Sequence, residues 1–370
     1  MTDLRELLGI EHPIFLGPFG GSSSVALTAA VSESGGLGGY GLYGYDGDRI
    51  RSTVTALREA TSHPFAVNIW LPTGDEVAPN PQHTVFAQAL EPFYEAVGVE
   101  VPSSRPERYL PPLDEQLDAI WESAPPVLST VFGVPSVELV DEAHRRGIRI
   151  VGAATTVAEA AALAEVGVDA VVATGLEAGG HRVSFLRPPE ESLVGTFALI
   201  PQVVDAVDVP VIAAGGIADR RGVAAAFALG ASGVQVGTAF LATAESAVNE
   251  VHRAAIRSTA ADGTVLTRAM SGRLARGARN RVVRAIEAGG MIAPFPMQNW
   301  LTGQFRTAAG QQNLGELQSL WMGQGAPLAD YPTAADAFAE MLAGVPSRPR
   351  VIASEDLDAR ITGNRRQAWE

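Results

Sequence analysis

The stretch VPVIAAGGIADRRGVAAAFALGASGVQVGTAF, residues 209–240, decides the fold. Its opening VPVIAAGG and its closing SGVQVGTAF both read as buried strands, because apolar and β-branched residues dominate each of them. Between them, DRRGVAAAFALG has the length and the apolar spacing of a helix. A strand that reaches the next strand through a helix is typical of a parallel sheet covered by helices.

Six further stretches repeat this alternation of strand and helix. They are HPIFLGP (12–18), GLGGYGL (36–42), PFAVNIW (64–70), PVLST (126–130), RIVGAA (149–154) and DAVVAT (169–174). Eight successive βα units without a sign of reversal favour closure into a (β/α)8 barrel, the TIM barrel, over the competing open doubly wound sheet. We therefore predict an α/β protein whose barrel spans residues 1–258.

Two segments depart from the repeat. A Pro-rich insertion at about 71–123 follows the third strand, and the repeat is lost again between residues 259 and 330. We predict that residues 259–330 form a smaller, mainly helical capping module over the active-site face. Residues 331–370 are expected to contain a returning barrel helix, TAADAFAEMLAGV (333–345), and a C-terminal tail.

The composition excludes several kinds of chemistry. A net charge of -14 argues against binding to nucleic acid or to an anionic membrane. The chain has no cysteine and no lysine, so all 27 basic residues are arginine. Disulfides, thiolate metal sites, Schiff bases and the P-loop lysine are therefore excluded. The first residues lack the pattern of a signal peptide, and no long apolar stretch occurs, so we expect a cytoplasmic protein.

Glycine-rich exits follow the seventh and eighth predicted strands. Gly215 and Gly216 end the seventh strand, and Gly237 and Thr238 end the eighth. Backbone N–H groups at such glycines can approach an anion, and the Thr238 hydroxyl is a further donor. Each turn alone could simply be a tight βα connection, but barrels bind phosphate at this pair of strands. The pair therefore predicts a phosphate site.

His181 follows the sixth strand in the loop TGLEAGGHR. Gly179 and Gly180 would let the backbone pass close to a flat cofactor and leave His181 over the barrel mouth. An imidazole with an ordinary pKa near 6.5 is suited to taking a proton from a weak carbon acid. The alternative is a solvated loop histidine. The six histidines show no HxH or HExxH spacing, so no protein metal site is expected.

The ordered motifs of the chain resemble a known family. PIFLGPFGG, PFAVNIW, STVFGVP, GLEAGGHR, VIAAGGIADRRG, QVGTAF, SGRLARGARN, PFPMQN and SLWMGQG together look like nitronate monooxygenase, formerly called 2-nitropropane dioxygenase, and the C-terminal part resembles its class I branch. The resemblance implies FMN in the barrel mouth and makes His181 the match to the family's catalytic base. The residues that it implies for cofactor binding are Pro18, Phe19, Gly20, Asn68, Thr174, Gly179, Gly180, Gly215, Gly216, Gln235, Val236, Gly237 and Thr238.

The reaction implied by the resemblance is the oxidation of an alkyl nitronate by flavin and dioxygen to a carbonyl compound and nitrite. His181 would deprotonate a neutral nitroalkane where that form is used, whereas a preformed nitronate needs no base. For the nitro group the sequence offers Arg182, Arg273 and Arg276, which could equally be surface ion-pair partners.

The implied substrate pocket departs from the family pattern. Phe19 and Gly20 stand where the family usually has Met and Ala, Val131 where some members have His, and Phe295 where Tyr is frequent. A more apolar pocket suggests a larger or less polar substrate. The residues expected to line or close this pocket are Phe19, Val131, Phe295, Trp321 and Gln324, with Trp300 nearby.

Two other functions remain open at this point. One is a related FMN barrel that reduces quinones or an enoyl thioester with NAD(P)H, and the other is a non-catalytic flavin-binding protein. We expect small-molecule partners, namely a nitronate or nitroalkane and dioxygen, and a monomer or homodimer. The sequence does not identify the physiological substrate.

Overall fold

The computed structural model describes residues 3–74 and 83–347. Each of the eight sequence stretches contains a strand of the main sheet. The strands, numbered here along the barrel, are β1 (Ile14–Leu16), β2 (Gly38–Gly41), β3 (Phe65–Trp70), β4 (Val127–Val131), β5 (Arg149–Ala154), β6 (Ala170–Thr174), β7 (Val211–Ala214) and β8 (Gly233–Val236).

All eight strands run parallel and follow one another around a barrel. The order is β1-β8-β7-β6-β5-β4-β3-β2. A parallel bridge between Phe15 and Leu37 joins the two ends of the sheet. There the Leu16 N–H donates to the Leu37 carbonyl at 2.9 Å, and the Leu37 N–H donates to the Ile14 carbonyl at 2.9 Å. The predicted TIM barrel is confirmed.

Helices cover the outside of the barrel, and side-chain caps mark where most of them begin. Ser24, Asp46, Ser136, Thr156 and Asp219 each accept a backbone N–H in the first turn of the helix that follows. The barrel helices are Val25–Glu33, Gly47–Ala60, Leu113–Ser123, Val137–Arg145, Val157–Glu165, Thr196–Val204, Arg220–Ala228 and Ala334–Leu342.

The last of these helices returns from the far end of the chain. Ala334–Leu342 packs against Val25–Glu33 and Arg220–Ala228, between the first and the seventh βα units. It therefore occupies the place of the eighth barrel helix, while the chain directly after β8 forms only the short helix Thr238–Leu241. The C-terminal tail from residue 348 lies outside the described residues.

The insertion after β3 and the capping module (259–330) pack together in a second apolar core. Phe86, Leu90 and Tyr94 from the insertion meet Leu301 and Phe305. The remaining helices are Leu4–Leu8, His83–Ala89, Glu91–Val97, Glu250–Ser258, Arg281–Gly289 and Met297–Gln311, with 3-10 turns at Pro189–Glu191, Ala261–Gly263, Gly315–Leu317 and Ala326–Leu328. In the described part of the chain, none of the helices is long and apolar enough to span a membrane.

The sequence did not predict the small antiparallel sheet at the barrel mouth. Thr264–Thr267 pairs with Ala275–Ala278, which pairs with the two-residue strand Gly180–His181. Sequence patterns miss such a strand because two residues are too few to show an alternation. The cap is therefore mainly helical with a small sheet, and residues 180–181 reach into it from the barrel. The division into 1–258, 259–330 and 331–370 stays a proposal.

Glycine on β2 allows β1 and β2 to approach each other closely, and Gly39→Ala tests this. A Cβ at Gly39 would lie 2.3 Å from the Leu16 carbonyl oxygen, and the backbone must move to make room. We expect Gly39→Ala to lower the free energy of unfolding by about 2–3 kcal/mol in urea titrations. Gly289→Ala is the control, because a Cβ there meets nothing within 4 Å. Equal stability of the two variants would contradict the close-packing argument.

Candidate active site

A cavity of about 830 Å³ lies over the carboxyl ends of the barrel strands. Residues in or directly after the carboxyl ends of β1, β3, β6, β7 and β8 form its floor, and the capping module covers it. The structure brings twelve of the thirteen predicted cofactor residues to its walls, namely Pro18, Phe19, Gly20, Asn68, Thr174, Gly179, Gly180, Gly215, Gly216, Gln235, Gly237 and Thr238.

The remaining predicted residues divide between the cavity wall and the layer behind it. Val236 is fully buried in the barrel core. Phe19, Val131 and Trp321 line the cavity, as does His181. Phe295 and Gln324 lie behind its surface, where Phe295 packs on Trp70 with ring centroids 5.9 Å apart.

His181 lies at the centre of this arrangement. It pairs with Ala275 in the small antiparallel sheet, so its backbone belongs to a strand rather than to the expected loop. Its Nε2 lies 2.8 Å from Ser271 Oγ. The ring lies edge-on to Trp70, with centroids 5.0 Å apart, and contacts Trp321 at 5.6 Å. The imidazole is therefore held from three sides by the barrel and the cap.

The charge of His181 is set by its surroundings. Burial and, to a smaller extent, the positive charges of Arg273 and Arg306 together lower the pKa of His181 to about 3. The imidazole is therefore neutral at pH 7. Ser271 Oγ also lies 3.1 Å from the Arg273 carbonyl oxygen, which can only accept. When Ser271 donates there, it accepts from Nε2–H, and the lone pair of the imidazole is on Nδ1.

The predicted arginines hold the loops around the cavity. Arg182 donates to the carbonyl oxygens of Gly175 at 2.6 Å and Thr174 at 3.2 Å. Arg276 donates to the Leu176 carbonyl and to Thr264 Oγ1, both at 3.0 Å. Neither side chain belongs to the cavity wall.

Arg273 lies against aromatic rings beside the site. Its guanidinium is 3.8 Å from the centroid of Phe295 and 4.4 Å from that of Phe132. It also donates to Thr73 Oγ1 at 2.6 Å. Arg273 thus binds the cap to the barrel rim by cation–π contacts and acts on His181 through its charge.

Sequence reasoning missed Arg306, Asn299, Tyr43 and Ser271. Arg306 donates to Asn299 Oδ1 at 2.8 Å, and Asn299 Nδ2 donates to the Tyr43 hydroxyl at 3.0 Å. All but Ser271 line the cavity. One signal could have drawn attention to Arg306, because it is the single charged residue in the helix MQNWLTGQFRTAAGQ. A lone charge in an otherwise uncharged helix is unusual for a solvated face.

The glycine exits of β7 and β8 differ in what they offer to an anion. Gly215 and Gly216 have φ angles of 107° and 72°, which only glycine adopts without strain. The helix after them begins only at Arg220, and the Asp219 carboxylate caps its N–H groups. After β8, Thr238 Oγ1 accepts from the Gly323 N–H at 2.9 Å, so its own hydrogen can be donated into the cavity. Backbone glycines and one hydroxyl, rather than a long helix, form this cradle.

Gly179 and Gly180 have separate reasons to be glycine. A Cβ at Gly179 would lie 2.6 Å from the Gly323 nitrogen, so Gly179 accommodates the backbone of the capping segment. Gly180 has a φ of 75°, and a Cβ there would meet nothing within 4 Å. The loop therefore passes tightly under the cap at one residue and faces open space at the next.

The charge of the cavity suits an anionic ligand. Among the described residues that form its wall, none is Asp or Glu, while Arg49 and Arg306 both contribute. Asn68 Nδ2 donates to Ser129 Oγ at 3.0 Å and to the Ser129 carbonyl, which orients its oxygen as an acceptor. Within residues 3–74 and 83–347, no group of His and carboxylate side chains could hold a metal ion.

Known proteins resemble this chain over its barrel and its cap. The family model described as Nitronate monooxygenase matches residues 1–344. A probable nitronate monooxygenase of Staphylococcus aureus (strain N315) is 39% identical over 333 residues, covering 88% of this chain and 92% of the relative. Nitroalkane oxidase from Streptomyces ansochromogenes has a TM-score of 0.83 at 34% identity, covering 92% of this chain and 98% of that one. FabK from Thermotoga maritima has a TM-score of 0.72 at 30% identity, and the match covers 98% of this chain and 99% of FabK.

Because His252 is buried, we expect the protein to lose stability in acid. It is 5% exposed and donates from Nε2 to the Trp321 carbonyl at 2.9 Å. Burial lowers the pKa of His252 to about 4, from a value near 6.5 in the unfolded chain. Above pH 6.5 His252 is mostly neutral in both the folded and the unfolded chain and costs little stability. As the pH drops from 6.5 towards 4, only the unfolded chain gains the proton, and the free energy of unfolding falls by about 2 kcal/mol at pH 5.

The measurement is the free energy of unfolding in urea at pH 8 and pH 5. His252→Gln should reduce the acid-dependent loss by about 2 kcal/mol relative to the wild type. His63→Gln, at an exposed histidine, is the matched control and should leave the loss as it is. If His252→Gln and wild type show the same pH dependence, His252 is not the titrating group.

Proposed function

Because the chain belongs to the nitronate monooxygenase family, we propose that it binds FMN and oxidises alkyl nitronates with dioxygen to a carbonyl compound and nitrite. The chain is an enzyme, as its family membership indicates. The observation that carries the proposal is the position of His181, a neutral imidazole at the wall of a cavity to which no described Asp or Glu contributes. Cytoplasmic location and a monomeric or homodimeric state stay predictions.

The residues of the cavity fit FMN. Gly215, Gly216, Gly237 and the Thr238 hydroxyl would hold the phosphate, and the absence of Asp and Glu from the described wall removes charge repulsion. The Pro18–Gly20 turn and the Asn68 oxygen would contact the flat ring system. When bound, FMN would supply the electron acceptor that passes electrons from the substrate to dioxygen.

His181 would act on the carbon proton of a neutral nitroalkane. Ser271 and the rings of Trp70 and Trp321 fix the imidazole, and its neutral state leaves a lone pair to accept the proton. Negative charge brought into the cavity favours the protonated imidazole, so the pKa of His181 rises when an anionic cofactor or substrate binds. A preformed nitronate has already lost this proton and requires only orientation.

The pocket beside His181 favours alkyl substituents. Phe19, Val131 and Trp321 line the cavity with apolar surface, and Phe295 lies behind Trp70. This apolar surface would select the substrate by the fit of its carbon chain.

A visible spectrum of the purified protein, followed by nitronate addition in air, tests the proposal. A flavin spectrum with nitrite release and oxygen consumption is the expected result. A flavin spectrum without nitrite, but with rapid anaerobic bleaching by NADH or NADPH, would support the reductase of quinones or enoyl thioesters instead. A colourless protein that cannot be reconstituted with FMN would contradict the cofactor assignment.

The role of His181 is tested by comparing His181→Asn on a neutral nitroalkane and on its preformed nitronate. We expect kcat/KM to fall by about 100-fold or more on the neutral form, because only that form needs a base. The nitronate should lose about tenfold or less. His63→Gln is the control for an exposed histidine and should match the wild type on both forms. Equal losses on the two substrates would refute the general-base role.

A further inference from the structure

Arg306 stands out among the arginines because of how it is held. Its Nη1 donates to Ser319 Oγ at 2.7 Å, and its Nη2 donates to the carbonyl and side-chain oxygens of Asn299 at 3.0 and 2.8 Å. Its Nε is buried and has no hydrogen-bond partner. The guanidinium is therefore oriented by neutral groups and retains unused hydrogen-bonding capacity.

In the described part of the chain, no carboxylate acts on the pKa of Arg306, in contrast to the buried Arg182 and Arg276. Burial lowers the pKa of both Arg182 and Arg276, and carboxylates oppose this effect: Glu159 and Glu177 act on Arg182, and Glu177 acts on Arg276. For Arg306, the groups that oppose the effect of burial on the pKa are the hydroxyls of Tyr43 and Tyr94. Burial lowers the pKa of Arg306 to about 10, so it still carries its charge at neutral pH. Arg306 is partly exposed at the cavity wall, and a cation held there without a nearby anion favours the binding of an anionic ligand.

The charge of Arg306 lies at the wall of the cavity, where a ligand would bind. Arg306 lines the wall, and its helix MQNWLTGQFRTAAGQ contains no acidic residue. Arg306 contributes to the lowered pKa of His181, so the two side chains act on the same enclosed space. The chain as a whole has a net charge of -14, so the positive charge of the cavity comes from a few residues in its wall.

We propose that Arg306, oriented by Asn299 and Ser319, is the residue that binds the anionic oxygen pair of the substrate and selects charged nitronates over neutral nitroalkanes. This inference rests on the proposed function for the identity of the substrate. The binding site itself requires only a small planar oxyanion, for which a guanidinium has matching donors.

The phosphate of the cofactor would occupy a different part of the cavity. Arg306 is linked through Asn299 to Tyr43, which follows β2. The glycine cradle follows β7 and β8, and β1 lies between β2 and β8 in the sheet order. The ring of Tyr43 in turn contacts that of Trp70, with centroids 4.2 Å apart, and Trp70 contacts His181. Arg306 thus belongs to the His181 side of the cavity.

Nitrate is a suitable probe, because it is a planar oxyanion that cannot be turned over as a nitronate. Its dissociation constant can be measured by calorimetry on the purified protein at constant ionic strength. Arg306→Gln should weaken nitrate binding about tenfold or more, whereas Arg306→Lys, which keeps the charge but loses the fork, should lie between it and the wild type. Arg284→Gln removes the same charge from an exposed site and should stay within about twofold of the wild type.

Asn299→Asp provides a test that does not depend on removing Arg306. The new carboxylate would lie where Asn299 Oδ1 is now, 2.8 Å from Arg306 Nη2, and would compete with the ligand as an internal counter-ion. We expect nitrate binding to weaken about tenfold while the unfolding temperature stays the same or rises. A stable protein with weakened anion binding separates a ligand site from a structural role.

Kinetics on matched substrates complete the experiment. Arg306→Gln should raise KM for a nitronate about tenfold and KM for the neutral nitroalkane of the same carbon skeleton by less than about threefold. Nitrate binding that is unchanged in Arg306→Gln and Asn299→Asp, or an equal rise of both KM values, would overturn the proposal. Arg306-dependent nitrate binding without any turnover would support the anion site and overturn the proposed function.

Discussion

The pairing of Gly180–His181 with Ala275–Arg276 is the contact on which the site depends. These few backbone hydrogen bonds join the barrel to the cap beside the residues that are expected to carry the chemistry. The pairing places His181 beside Ser271, and an adjoining bridge between Gly277 and Trp321 brings the tryptophan over the imidazole. A Cβ at Gly277 would lie 2.8 Å from the Leu320 carbonyl oxygen, so this approach also requires glycine. Without the pairing, the cavity would lose both its lid and the support for its histidine.

The distribution of charge follows from the same geometry. Carboxylates near the site are used to fix loops behind the cavity wall. Glu159 is fully buried and accepts from the N–H groups of Thr155 and Phe185, both at 2.7 Å, and thereby ties the exit of β5 to the chain that follows β6. Glu177 accepts from the backbone N–H of Thr196 at 3.0 Å. Because backbone donors compensate these acids, the wall itself can be cationic, which suits anionic ligands and keeps His181 neutral.

The cap is assembled from parts of the chain that are far apart in sequence. Tyr94 from the insertion packs on Phe305, with ring centroids 5.6 Å apart, and donates to the Leu301 carbonyl. The helix that carries Arg306 is thus supported on one side by the insertion, while its other side faces the cavity. The insertion after β3 therefore contributes to the site indirectly, by holding the helix that bears the charge.

The sequence by itself determined the barrel, because each βα unit carries its own local pattern of a short apolar strand followed by a helix. It also singled out Gly215, Gly216, Gly237 and His181, since residues at strand ends must meet at one end of a parallel barrel. The small sheet, the neutral state of His181 and the position of Arg306 were decided by the tertiary structure alone. Those features arise from contacts between the insertion, the loop after β6 and the cap, and from the burial of single polar side chains. Neither such long-range contacts nor the burial of one polar residue leaves a periodic signal in the chain.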